Sequence, residues 1–208
     1  MNDFSQPGVE RFLNGVFDVK VTSPVAPSEY GFPYYLSDES CPNPIFLNLR
    51  EDKQIDFDYR QDNGHIMSID FWEILCEFHL HGCFSKDIVF YVNGHVKQTD
   101  KKYKYVFFSS SNFIDYQKSS ILEVTRGSSI PENLFFTADS LSYDAFQLTS
   151  KVIIGLRLVI NEKVKEKLLQ ENFSGVKIVS LDSAVEHYCK DFSFEPSRII
   201  KRKKRFLP

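Results

Sequence analysis

The stretch that decides the fold is Ile55–Gly94, which reads IDFDYRQDNGHIMSIDFWEILCEFHLHGCFSKDIVFYVNG. Its first five residues alternate apolar and acidic side chains, a pattern typical of a half-buried β-strand. The segment Ser68–His79 has apolar residues at helical spacing, and either Ser68 or Asp70 can serve as its N-cap. The apolar run Asp87–Val92 then predicts a strand, and Asn93-Gly94 predicts a tight turn. The change from strand to helix and back to strand indicates an α+β fold.

The rest of the chain repeats this mixture of short strands and helices. Further strand patterns cover Val16–Val21, Pro44–Leu49, Lys104–Phe108, Ile121–Val124, Leu134–Phe136, Val152–Ile160 and Val176–Val179. Asn161 is the predicted N-cap of a helix over 162–171, and a shorter helix is predicted over 183–190. The first of these helices should bury Val164, Leu168 and Leu169. We therefore predict an α+β protein with mixed or antiparallel sheets and about three helices packed on them. It forms one unit over residues 1–208, with 1–95 and 96–208 as candidate lobes.

Composition excludes several classes of protein. The 208 residues are 42% hydrophobic and 25% charged, which is typical of a globular chain and excludes a wholly disordered one. No apolar run is long enough for a transmembrane helix, and the first residues carry no secretory signal pattern. Four cysteines are too few for a disulfide scaffold in a chain of this size. We therefore expect a cytoplasmic protein with reduced thiols.

Charge is unevenly divided between the two halves of the sequence. Residues 1–100 carry 16 acidic and 7 basic side chains, a net charge of −9, whereas residues 101–208 have a net charge of +6. Part of the basic excess lies in Lys201–Arg205, which together with Arg198 could contact phosphate groups. Such asymmetry is typical of an interaction surface, because charged faces raise association rates.

A group of carboxylates accompanies the first strand pattern. The alternation places Ile55, Phe57 and Tyr59 in a core, and Asp56 and Asp58 in water. Three interpretations of the group are open: a solvated strand face, a divalent-cation or acid–base site, and a surface for a basic partner. The full set of acidic residues is Glu51, Asp52, Asp56, Asp58 and Asp62.

Sequence motifs for catalysis are absent. The glycines form no phosphate-binding loop, and neither a nucleophile elbow nor a His-Glu-x-x-His motif occurs. The tightest group of metal ligands is Cys76-x-x-His79-x-His81-x-Cys83, but its spacing does not match a zinc site built from paired Cys-x-x-Cys knuckles. We therefore predict a protein that is not an enzyme, with no catalytic residues, no metal ligands and no cofactor.

A resemblance to a known family covers residues from about 103 to 181. This region is similar to a bacterial immunity-protein family of polymorphic toxin systems, once catalogued as a domain of unknown function. The similar segments are Phe108–Ser119 with its Asp-aromatic-x-x-Ser pattern, the short strand Leu134–Phe135, the strand, cap and helix of Leu156–Leu168, and the closing strand Gly175–Ile178. The chain has Asn161 where the family often has a serine cap, and Ile178 where it often has an aromatic residue.

The resemblance implies a cytosolic, non-enzymatic protein that binds a cognate toxin domain and blocks its active site or substrate entry. Because toxins that act on nucleic acids have basic clefts, we expect the acidic segment to form the partner-binding face, with Tyr59 as an aromatic anchor. The predicted partner-binding residues are Glu51, Asp52, Asp56, Asp58, Tyr59 and Asp62. Two alternatives stay open: a nucleic-acid-binding or adaptor module that uses the basic tail, and a metal-dependent enzyme. The oligomeric state is not predicted.

Overall fold

The computed structural model describes residues 17–18, 38–39, 41, 43–49, 52–61, 64–125, 128–148 and 158–191. The strands are β1 (Phe17–Asp18), β2 (Ile45–Leu49), β3 (Tyr59–Gln61), β4 (His65–Ser68), β5 (Cys83–Val92), β6 (His95–Val96), β7 (Tyr103–Phe108), β8 (Ser110–Ser111), β9 (Ser120–Thr125), β10 (Ser128–Asn133), β11 (Ala145–Leu148) and β12 (Leu158–Ile160). The α-helices are α1 (Ile69–Cys76), α2 (Glu162–Gln170) and α3 (Ala184–Asp191), and two 3₁₀ helices span Ala138–Ser142 and Leu181–Ser183.

The main element is a mixed seven-stranded sheet. Its strands follow the order β1-β2-β5-β7-β4-β3, and β6 pairs with β5. The β2–β5 pair is parallel, and the other pairs of this sheet are antiparallel. The long strand β5 connects two groups of strands, because its first half pairs with β7 and its second half pairs with β2 and β6. At the β5–β6 turn both Asn93 and Gly94 have positive φ, as the sequence predicted.

Two smaller sheets are built from the second half of the chain. Strands β9 and β10 form a hairpin, and β12, β11 and β8 form a three-stranded sheet. In the three-stranded sheet β11 pairs antiparallel with β12 and parallel with β8. The segment after α1 joins this sheet, because Leu80 forms a parallel bridge with Ala145. This bridge ties the helix of the first half to a sheet of the second half.

Side-chain alternation along β7 separates two hydrophobic cores. Tyr103, Tyr105 and Phe107 belong to one cluster, together with the buried side chains of β2, and Val106 and Phe108 belong to another. The second cluster also contains Phe71 and Leu75 of α1 and Val164 and Leu168 of α2. A third cluster lies around the three-stranded sheet and includes Ile114, Phe146, Leu148 and Ala184.

The α+β class and the mixed sheets are confirmed. Helices α1 and α2 present buried apolar faces to the sheets as predicted, and their N-caps Ser68 and Asn161 accept hydrogen bonds from Phe71 and Val164. Helix α3 begins at the buried residue Ala184. None of the helices in the described part of the chain has the length and apolar content needed to cross a bilayer.

Several sequence predictions are wrong in detail. Residues 52–57 have no regular secondary structure, and the strand expected from Ile55 begins only at Tyr59. The strand expected over Val176–Val179 is an irregular segment, although its apolar side chains pack in the core. Leu169 is 64% exposed rather than buried, because it points away from the face that carries Leu168. Strand β10 ends at Asn133, just before the expected Leu134–Phe136.

Parts of two further strand predictions lie outside the described residues. For Val16–Val21 the structure describes β1 only, and for Val152–Ile160 it describes β12 only.

Candidate functional site

The acidic segment is organised around Asp58, whose side chain is buried. Its carboxylate accepts hydrogen bonds from the Ser174 backbone N–H at 2.8 Å and from the Lys101 ammonium at 3.0 Å to each oxygen. The Asp58 N–H also donates to the Ser174 carbonyl, and the Asp58 carbonyl accepts from the Ser68 N–H. Burial is the largest influence on the carboxyl and favours its protonated form, but the hydrogen bonds from Ser174, Ser68 and Lys101 outweigh it and lower the pKa of Asp58. The ionised Asp58 therefore connects its own segment with those of Ser68, Lys101 and Ser174.

The other predicted partner-binding residues separate into exposed and buried positions. The side chains of Asp52 and Asp56 are 63% and 65% exposed, and they pair with Lys97 at 2.5 Å and Lys101 at 3.2 Å. Tyr59 is 1% exposed, so a partner docking on the described surface would not touch its ring. The expectation that Asp58 faces water is wrong, because Ser174 and Lys101 cover it. Glu51 and Asp62 lie outside the described residues.

The Tyr59 hydroxyl takes part in a buried hydrogen-bonded chain. It lies 2.8 Å from Nδ1 of His65, and Nε2 of His65 lies 2.9 Å from Oε1 of Gln147. The amide oxygen of Gln147 only accepts, so Nε2 of His65 carries the proton and Nδ1 accepts from Tyr59. Burial lowers the pKa of His65 to about 4, although the Gln147 hydrogen bond acts in the opposite direction. A neutral imidazole thus connects the large sheet to the three-stranded sheet.

The Cys76, His79, His81 and Cys83 group does not form a cage for a metal. Within the described ranges, no three His, Cys, Asp or Glu side chains are placed to hold an ion together. The two histidines instead extend the edge of β11: the His81 N–H donates to the Ala145 carbonyl, and the Asp144 N–H donates to the His79 carbonyl. The Asp144 carboxylate in turn accepts from the His79 N–H at 2.9 Å.

The cysteines are also unlike activated nucleophiles. Cys41, Cys76 and Cys83 are free thiols, as predicted. Burial raises the pKa of Cys41 and of Cys83 to about 11, and it raises that of Cys76 as well. These thiols are protonated at neutral pH, whereas nucleophilic attack requires a thiolate. The side chain of the fourth cysteine, Cys189, is outside the described set.

Aromatic rings gather around Tyr143, at the place where the two histidines reach β11. The Tyr143 ring lies 4.8 Å from each of the His79 and His81 rings and 5.5 Å from the Phe113 ring, with which it stacks. His79 is exposed, and the other three rings are half-buried. We call these four residues the Tyr143 cluster. Its members come from three separate segments of the chain, and they have aromatic side chains that a binding partner could touch.

Comparison with known proteins identifies the family. A family model for Immunity protein 43 matches residues 23–196. The chain belongs to the Immunity protein 43 family. No curated protein matches the chain. The family match confirms the resemblance seen in residues 103–181, and it extends beyond that region at both ends.

The sequence alone did not predict the Tyr143 cluster of this Immunity protein 43 family member. The spacing of the two histidines suggests metal ligands, and nothing in it indicates that their rings pack against Tyr143. A weak signal was present in the resemblance itself, because the similar segment Phe108–Ser119 contains Phe113. Family membership implies a toxin as the general kind of partner.

Proposed function

We propose that this immunity protein binds the toxin domain encoded beside it and neutralises that toxin by covering its active site or its substrate entry. The observation that carries the proposal is the family match over residues 23–196. The buried, neutral His65 and the protonated thiols support a binding role over a catalytic one, since neither provides an activated group. Such occlusion needs about 800 Å² of interface on each partner. We place the encounter in the cytoplasm of the producing cell.

The exposed carboxylates Asp52 and Asp56 are the part of the predicted acidic face that a partner can reach. Each is paired with a lysine that is itself partly exposed, so the pairs contribute little to stability and are easily rearranged. Their proposed role is to speed association with a basic toxin surface, because rim charges act mainly on the association rate. Asp58 would support this face from beneath by holding Lys101.

The proposal is tested by co-expression in a sensitive bacterial host. The toxin domain whose gene adjoins that of this chain is expressed alone and together with the immunity protein, and survival is counted. We expect killing by the toxin alone, rescue by the pair, and a 1:1 complex in size-exclusion chromatography. Killing that the wild-type chain does not relieve, with no complex formed, would contradict the proposal.

Charge reversal tests the acidic face separately. The double variant Asp52→Lys/Asp56→Lys should associate more slowly with the toxin domain at low salt, and the difference should shrink as salt is added. Glu166→Lys is the control, because Glu166 is an exposed carboxylate on α2, outside residues 52–58. Equal association rates for the double variant and the wild type would remove the acidic face from the interface while leaving neutralisation itself intact.

A further inference from the structure

A second surface combines exposed apolar side chains with the Tyr143 cluster. Leu141 is 86% exposed and Phe135 is 50% exposed, and they are two of the four exposed large hydrophobic residues in the described part of the chain. Leu141 lies on the 3₁₀ helix Ala138–Ser142, which leads directly into Tyr143. A soluble surface normally exposes such residues singly. Here Leu141 lies two residues before Tyr143, and Phe135 lies in a segment that pairs with the segment of Phe113.

Backbone pairing places the segment of Phe135 next to the segment of Phe113. The Thr137 N–H donates to the Phe113 carbonyl, and the Asp115 N–H donates to the Phe135 carbonyl, around the bridge between Ile114 and Phe136. Ile114 belongs to the third core cluster, and Phe136 and Phe113 both pack against it, with the Phe113 ring 5.1 Å from that of Phe146. Phe135 is 50% exposed, so it lies at the outer side of this paired segment, next in the chain to Phe136.

The side chains of this surface indicate the kind of partner segment that it fits. The Tyr143 hydroxyl has no hydrogen-bond partner among the described residues, and the half-buried rings around it are aromatic side chains of the kind that protein interfaces enrich. Asp139 is exposed on the same 3₁₀ helix and has no ion-pair partner in the described ranges, whereas the nearby carboxylate Asp115 is paired with Lys118. An unpaired carboxylate beside aromatic and apolar side chains is complementary to a lysine or arginine flanked by apolar residues.

We infer that the surface formed by His79, Phe113, Phe135, Asp139, Leu141 and Tyr143 binds the toxin, and that it receives a segment carrying a basic side chain next to apolar residues. This inference rests on the proposed function, since it names a second surface by which the chain recognises its toxin. Tyr143 is the expected centre of the contact, because interface hot spots are enriched in tyrosine surrounded by residues that exclude water. Leu141 supplies the apolar contact, and Asp139 attracts the basic side chain.

The test measures binding of the purified toxin domain from the adjoining gene to immobilised full-length chain. Leu141→Asp should raise the Kd at least about 30-fold at both low and high salt, because it places a charge in the apolar contact. Leu169→Asp is the matched control, since Leu169 is also exposed but lies on α2, and its Kd should stay within about 3-fold of wild type. Both variants should fold, because neither side chain is buried, and circular dichroism would verify it.

Asp139→Lys tests the basic partner segment. It should slow association several-fold at low salt and lose this effect at high salt. An unchanged association rate would overturn the basic character of the partner segment.

The possible results separate the two proposals. A Leu141→Asp Kd within about 3-fold of wild type, with the wild type still binding, would overturn this surface and leave the toxin-binding function standing. Failure of the wild type to bind or neutralise the toxin would overturn the proposed function and this inference with it. A wild-type dimer that Leu141→Asp converts to a monomer, with toxin binding unchanged, would assign the surface to a second copy of the chain and also overturn the inference.

Discussion

Acid should lower the free energy of unfolding of this protein by protonating His65. The imidazole is fully buried and neutral, with a pKa of about 4 in the folded state against 6.5 for an unperturbed histidine. Protonation of Nδ1 would add an N–H that faces the Tyr59 hydroxyl. The hydroxyl could then no longer donate its hydrogen bond to Nδ1. Because the folded pKa lies below the unfolded one, the unfolded chain binds the proton first. The stability from neutral His65 is therefore complete above pH 6.5 and is lost as the pH falls from 6.5 to 4.

The size of this effect follows from the two pKa values. Linkage between pH 7 and pH 5 gives a loss of about 2 kcal/mol from His65, and the full difference of pKa corresponds to about 3 kcal/mol. The cause is the burial of the ring between Tyr59, Gln147 and the edge of Phe108, which leaves no water to solvate a charge. Loss on this scale is a large fraction of the stability of a typical domain.

The assay is urea unfolding at a series of pH values, with wild type compared to His65→Gln. Glutamine keeps one acceptor and one donor at the end of the side chain but does not titrate. The variant can be less stable at every pH, so the quantity compared is the change in free energy of unfolding between pH 7 and pH 5. We expect wild type to lose about 2 kcal/mol more than the variant over this range. Equal losses in the two proteins would show that His65 does not control the acid response.

Four further outcomes are expected. Asp58→Asn should lower the free energy of unfolding by about 2 kcal/mol at pH 7, and the deficit in urea melts should shrink in acid as the wild-type carboxyl protonates. Gly64→Ala should cost about 1–3 kcal/mol in the same melts, because its Cβ would lie 2.3 Å from the buried Tyr105 ring. Asn161→Ala should cost about 1 kcal/mol by thermal unfolding, and Asn161→Ser should recover most of it, since serine also caps. Deletion of residues 198–208 should leave toxin protection unchanged in survival assays, whereas loss of protection would favour a role for the basic tail.

The elements that the sequence predicted well are those in which local signals and burial agree. The α1 and α2 helices have a cap and an apolar stripe that the tertiary structure uses as expected. The β5–β6 turn needs positive φ at two positions, and Asn93-Gly94 permits it at low cost. Helix faces, caps and tight turns depend on residues close in sequence, so one chain is enough to locate them.

The incorrect predictions occur where distant residues decide the outcome. Alternation correctly placed Ile55, Phe57 and Tyr59 in the core, but only the last of them lies in a strand. Asp58 looks like a solvent-facing residue by the same alternation, and it is buried because Ser174 supplies a backbone N–H from a loop more than a hundred residues away. No local pattern shows that such a donor will be present.

The candidate interface could not be found by spacing for a related reason. Its rings come from the segment after α1, from the segment after β8 and from the residues before β11. The Leu80–Ala145 bridge brings the first and last of these together. A catalytic site must hold fixed groups at fixed distances, which leaves motifs in the sequence. A surface that binds one protein partner has no such requirement, because its affinity comes from a few apolar and charged contacts matched to that partner alone. The fold of an immunity protein can thus be predicted largely from its own sequence. Its binding specificity depends on the toxin surface as well, and it is measured only when the two proteins are tested together.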